Sequence, residues 1–311
     1  MKALLAVLDK LRFYSTLEIL RPLPLPWAIR GASMSGRVMY GLCWRRRRQA
    51  IQWLRETVPA GTPSTQIVRM SRELFVYASL RRYLSHILLL HDANDWRDLL
   101  DVRGWERVEQ ALGRNKGVVL LTCHLGLPRA ERWFLKTKPH HVYYLFRIGQ
   151  ASERDRSWGA RFERWHKNRY RQDLDTLLGN EELSVQYMKK AYDHLRRNGI
   201  VNMAGDGRYG ERRYPVSIGG RHHTLAAGGI SLGLMTGAAI LPCFTAVGGS
   251  PLFHIEIQEP LALPDLNDAR AADRNAETKA LVEAYAARID AFISRHPTNG
   301  AHPRYSLQIP T

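Results

Sequence analysis

Val118–Val119–Leu120–Leu121–Thr122 is a run of apolar and β-branched residues that stops abruptly at Cys123–His124–Leu125–Gly126. A run this short, ending at a glycine, reads as a strand covered on both faces. Pro128 then opens a helical pattern. The unit is therefore strand, turn, helix, and the turn carries a histidine. Open α/β sheets place their chemistry at the carboxyl ends of strands. An imidazole exchanges a proton near neutral pH and suits a general base there. A histidine that merely satisfies a strand end is the plainer alternative.

The same alternation continues along the chain. Apolar runs predict strands at Val118–Thr122, His141–Phe146, Ile200–Ala204, Tyr214–Ile218, Ala239–Phe244 and Phe253–Gln258. Helical spacing predicts helices over 128–137, 153–171, 183–198, 225–236 and 273–294. Residues 1–90 lack strand patterns, and Ile67, Met70, Leu74, Tyr77, Leu80 and Leu84 recur at helical spacing. The fold class is α/β, with a mixed central sheet flanked by helices and preceded by an N-terminal helical segment. Residues 1–100 are expected to form that membrane-proximal helical segment, packed on an α/β core of residues 101–311.

Charge narrows the partners. The net charge is +17, and residues 1–90 hold 15 Lys/Arg against 4 Asp/Glu. Residues 129–171 hold 12 against 4, while residues 250–294 reverse the sign with 4 against 8. A basic front half suits nucleic acid, an anionic membrane surface or an acidic carrier protein. No zinc-finger spacing or aromatic RNA-binding strand occurs, which argues against nucleic acid. Arg21–Pro22–Leu23–Pro24–Leu25–Pro26–Trp27 and Trp44–Arg45–Arg46–Arg47–Arg48 combine cations with tryptophan, a composition that fits the headgroup layer. No uncharged apolar stretch of about 18 residues occurs, so a membrane span is not expected. Three cysteines without metal-ligand spacing point to a reducing compartment. The expected location is cytoplasmic, peripheral on the inner face of the cell membrane.

Several segments together resemble a known family. Gly104–Trp105–Glu106 and Gly117–Val118–Val119–Leu120–Leu121–Thr122–Cys123–His124–Leu125–Gly126 come first. Val201–Asn202–Met203–Ala204–Gly205–Asp206–Gly207, Ile218–Gly219–Gly220–Arg221, Thr224–Leu225–Ala226–Ala227–Gly228 and Thr236–Gly237–Ala238–Ala239–Ile240–Leu241–Pro242 follow. With His296–Pro297–Thr298 near the end, their order resembles the lipid A biosynthesis (lauroyl/myristoyl-type) acyltransferases of the lysophospholipid acyltransferase superfamily. The resemblance implies a histidine base that deprotonates an acceptor, which attacks the thioester of an acyl carrier protein or coenzyme A. It implies no permanently bound cofactor, the acyl thioester being a co-substrate.

In that family an Asp or Glu follows the histidine after four residues and orients it. Here that position is Arg129, and a cation cannot accept the imidazole hydrogen bond. The motif is degenerate, and four readings stay open. Glu131 could supply the acid, although it stands about 200° around a helix from Arg129. Asp206, ending another strand, could supply it. An amine acceptor, once neutral, could need no acid. Catalysis could be lost, leaving a protein that binds a carrier protein or an anionic membrane. The second and third together are favoured, with an aminoacyl or peptidyl thioester among the possible donors.

Other candidates follow from residue type. Arg129 would hold a substrate anion or the oxyanion. Arg208 in the loop after Asp206, with Arg221 and His222, would contact phosphate or line the substrate mouth. Gly205–Asp206–Gly207 is expected to form a tight turn that exposes the carboxylate. Cys123 adjoins His124, but neighbours on a strand diverge, so a core cysteine is expected. His140–His141 and His222–His223 lack a carboxylate or cysteine at ligand spacing, and no metal is expected.

Overall fold

The computed structural model describes residues 2–87, 91, 95–127, 130–145, 185–206, 212–263 and 271–299, with the backbone alone at 2–10, 185 and 271–273. Four helices come first: α1 (Lys2–Leu20), α2 (Leu25–Leu42), α3 (Trp44–Thr57) and α4 (Ser64–Ile87). Pro24 and Pro26 fall at the entry of α2, where a missing N–H leaves no helical bond unmade. Strand β1 (Leu100–Arg103), helix α5 (Trp105–Leu112), strand β2 (Val118–Thr122), helix α6 (Ala130–Lys136) and strand β3 (Val142–Leu145) follow. Helix α7 (Val185–Arg196) leads to β4 (Ile200–Ala204), β5 (Arg213–Ile218) and β6 (Arg221–Ala226). Helix α8 (Gly228–Thr236), β7 (Ala239–Val247), β8 (Phe253–Ile257) and α9 (Ala271–Arg295) complete the order.

Six strands form one sheet in the order β1-β8-β7-β2-β4-β3. β2 is central, parallel to both β4 and β7, and all five of its residues are buried. Among the described residues the single reversal is β7 against β8, which makes the sheet mixed, as the sequence predicts. Side chains alternate between two apolar layers. Val118 and Leu120 face the layer of Phe13, Leu17, Leu84, Trp105 and Trp133, so the front helices share a core with the sheet. Val119, Leu121 and Cys123 face the layer of Leu195, Ile230, Tyr285 and Phe292.

Two strands lie outside the predicted set. β6 reads Arg-His-His-Thr-Leu-Ala, and only Leu225 is buried, so no apolar alternation marks it. It exists as the partner of β5 in a hairpin turned at Gly219–Gly220, whose φ values of 60° and 69° suit glycine. β1 is a short edge strand with Asp101 and Arg103 in it. β7 runs three residues further than expected, because Cys243–Val247 pairs with β8. The helix expected over 153–171 lies outside the described residues.

Candidate active site

Thr122 and Ala204, the last residues of β2 and β4, stand opposite each other. Two residues beyond those ends come His124 and Asp206. Adjacent parallel strands therefore carry an imidazole and a carboxylate to one edge of the sheet, in matched register.

Asp206 holds His124 twice. His124 Nδ1 lies 2.7 Å from Oδ1, and the His124 backbone N–H donates to Oδ2 at 2.8 Å. The Asp206 side chain is 1% exposed and that of His124 is 31% exposed. An ionised carboxylate only accepts hydrogen bonds, so the hydrogen resides on Nδ1. The lone pair of the neutral ring is then on Nε2, the atom a general base uses. The turn expected to expose the carboxylate instead buries it. Its two hydrogen bonds offset the cost of taking the charge out of water.

The surroundings hold this pair in place. Gly126 has φ of 51°, and a β-carbon there would stand 2.1 Å from the Thr245 carbonyl oxygen, so only glycine fits. Thr245 Oγ1 on β7 donates to Leu125 O at 2.8 Å and reaches Leu127 O at 3.1 Å. On the opposite layer, Tyr285 Oη donates to Thr122 O at 2.8 Å, and the Gly205 N–H reaches the same oxygen at 2.8 Å. A β-carbon at Gly205 would meet Leu121 and Tyr285 at 2.6 Å. Thr245 and Tyr285 escape sequence reasoning. Their only signal is a polar group among the apolar residues of β7 and of the buried face of α9. Thr245→Val keeps the shape but takes from the buried Leu125 carbonyl the hydroxyl that donates to it. It is expected to destabilise the fold by about 1–3 kcal/mol, read as a lower denaturant midpoint at unchanged slope.

Cys123 is not a nucleophile in this arrangement. It packs with Leu121 and Tyr285, on the layer away from the front helices. Burial first, and the Asp206 charge second, push its thiol well above the usual cysteine range. Burial likewise raises Cys243, with the Glu131 charge next. Both thiols therefore stay protonated in the folded chain at pH values where an unfolded chain ionises. Their contribution to stability is intact below the unfolded thiol pKa of about 8.5 and is lost as pH rises beyond it. At neutral pH an alkylating reagent is expected to label half-exposed Cys43 in the native protein, and Cys123 and Cys243 only after unfolding.

The remaining candidates occupy different places. Glu131 is buried on α6, and its charge is felt at Cys123, Cys243 and Tyr144. The carboxylate on His124 Nδ1 is that of Asp206. Arg221 pairs with Glu56 of α3 at 2.7 Å, and His222 is exposed on β6. Among the described residues neither is hydrogen-bonded to His124 or Asp206. Arg129 and Arg208 lie outside the described residues. A second histidine–carboxylate pair makes an instructive contrast. His254 Nδ1 is 3.2 Å from Asp101 Oδ2, and its Nε2 is 2.8 Å from the Gly248 carbonyl oxygen. Both ring nitrogens face acceptors, so neither remains to take a proton from a substrate.

Residues 13–299 match the family model described as bacterial lipid A biosynthesis acyltransferase. A comparison with curated proteins gives no match.

Proposed function

The chain belongs to the bacterial lipid A biosynthesis acyltransferase family, and from that premise we propose a thioester-dependent transferase that runs on His124 with Asp206 as its acid. At the coarser level it is an acyltransferase of the lipid A acyltransferase type. The observation that carries the finer reading is the pair of hydrogen bonds that the ring and backbone N–H of His124 donate to Asp206.

The chemistry follows from that geometry. Nε2 of His124 accepts the proton of an acceptor hydroxyl or amine as the acceptor atom attacks the thioester carbonyl carbon. The tetrahedral intermediate collapses, the carbon–sulfur bond breaks, and the departing thiolate takes up the proton held by the imidazolium. Asp206 holds the ring in the tautomer that can accept and stabilises the imidazolium that forms. The donor is an acyl thioester of a phosphopantetheine carrier protein or of coenzyme A, with an aminoacyl or peptidyl group within its scope. Arg129 and Arg208 are the proposed contacts for the oxyanion and for donor phosphate. Arg221 and His222 remain proposed substrate contacts on the hairpin rim. No helix among the described residues is long and apolar enough to cross a membrane. The proposed location is peripheral, on the inner face of the cell membrane.

The other reading, a family member that only binds a carrier protein or membrane, is favoured by Arg129 at the family's acid position. It leaves the Asp206–His124 pair without a task. A mass-spectrometric screen decides between them. Acyl-loaded carrier proteins and coenzyme A esters are incubated with lipid, sugar and amine acceptors. Transfer from any thioester supports the enzyme, and none from the whole panel hands the site to the binding reading.

A further inference from the structure

α2 is packed the wrong way round for a helix surrounded by protein and water. Its buried residues are Leu25, Ala28, Ala32 and Gly36, mostly small. They let it lie close against α4: a β-carbon at Gly36 would stand 2.7 Å from the Phe75 carbonyl oxygen, and Ser79 Oγ donates to Ala32 O at 2.8 Å. Several of the large apolar residues of α2 point outward. Trp27 is 59% exposed, Met34 59%, Val38 50% and Leu42 72%, and Trp44 at the start of α3 is 49% exposed. At about 100° per residue Trp27, Met34 and Val38 fall within about 40° of one another, with Leu42 beside them. A continuous stripe of this size marks a surface that meets something apolar.

The charge around the stripe has one sign. No Asp or Glu occurs between Glu18 and Glu56, whereas Arg30, Arg37, Arg45, Arg46, Arg47 and Arg48 lie on or beside it. The guanidinium of Arg30 stands over the Trp27 ring at 5.1 Å, and those of Arg45 and Arg48 over the Trp44 ring at 5.4 and 4.8 Å. Each indole thus presents an apolar body with a cation against it, the pairing that suits the boundary between acyl chains and anionic headgroups.

We propose that the outward face of α2, together with the arginines that open α3, is the docking face for an anionic lipid bilayer, with α2 lying in the plane of the interface. A second copy of the chain fits this surface poorly, since an isologous contact sets the same arginines against each other. An acidic protein would answer the charge but not the width of the exposed apolar stripe. The proposal rests on the peripheral location given above and deepens it by naming the face and the orientation.

The test places an environment-sensitive fluorophore at Met34→Cys in a Cys43→Ser background, with Lys279→Cys on exposed α9 as the control position. Vesicles of phosphatidylcholine with phosphatidylglycerol are compared with phosphatidylcholine alone. The expected result is binding at least about tenfold tighter to the anionic vesicles. The label at 34 shifts to the blue and is quenched from within the bilayer, while the label at 279 stays in water. The triple variant Trp27→Ser, Met34→Ser, Val38→Ser is expected to keep its circular dichroism and lose most of the binding.

Three outcomes overturn the proposal. Vesicle binding with the label at 34 still in water removes this face but spares the peripheral location. Absence of vesicle binding removes both, and leaves the thioester screen to judge the chemistry separately. A blue shift at 34 without vesicles, produced by self-association in light scattering or by an added acidic carrier protein, assigns the face to that partner instead.

Discussion

Asp206→Asn is expected to lower turnover by on the order of 10²–10⁴ while leaving the fold in place. Asparagine is the same size, but it offers one acceptor oxygen and one amide donor where aspartate offers two acceptors. If the oxygen keeps the His124 backbone N–H, the amide group faces Nδ1. The ring must then accept at Nδ1 and carry its hydrogen on Nε2, where no proton can be taken. If the amide is turned over, it points a donor at the backbone N–H. Neither orientation reproduces both hydrogen bonds seen with aspartate. The measurement is kcat for thioester-dependent transfer, with circular dichroism as the folding check. A loss below about tenfold on a hydroxyl acceptor removes Asp206 from the orienting role. An amine acceptor, more nucleophilic once neutral, should show the smaller loss, so the ratio of the two losses identifies which acceptor the site serves.

His124→Ala is expected to cost at least as much, on the order of 10²–10⁴ or more in kcat. The imidazole is partly exposed and its layer of the core does not depend on it, so stability should change less than activity. The two effects should not add. Once the base is gone, the orienting carboxylate has nothing to orient, and the double variant His124→Ala, Asp206→Asn should match His124→Ala alone within a few-fold. Independent, multiplying losses would mean that Asp206 acts on the substrate by itself. Full activity in His124→Ala overturns the site assignment.

The sequence carried the central strands because burial wrote them plainly. Val118–Thr122 and Ile200–Ala204 are predicted with the bounds they have, each a short apolar run cut by turn residues. Their ends also made His124 and Asp206 visible as separate candidates. That Asp206 serves His124 is one of the favoured sequence readings, carried by residue type and chain order; the register that brings the two together depends on β2 and β4 being neighbours, a long-range pairing that no local pattern encodes. β6 was illegible for the same reason: its residues are polar, and only the hairpin partner makes it a strand. Thr245 and Tyr285 are single polar atoms whose meaning lies in carbonyl oxygens more than a hundred residues away. The exposed face of α2 was half legible. The prolines, tryptophans and arginines could be read, but which side of the helix met α4 could not, since small residues rather than large ones make that contact.

The matched ends of β2 and β4 have a consequence for motion. An acid carried on a helix four residues beyond the base moves whenever the first turn of that helix frays, and helix ends fray readily. Here the spacing of base and acid is inherited from neighbouring strands about 4.8 Å apart, tied by ladder bonds in the middle of a six-stranded sheet. The frame that carries the pair should come apart only in openings that break that ladder, the rarest events in a folded domain. The amide hydrogens of Leu121 and Val201 are therefore expected to exchange far more slowly than those of α6.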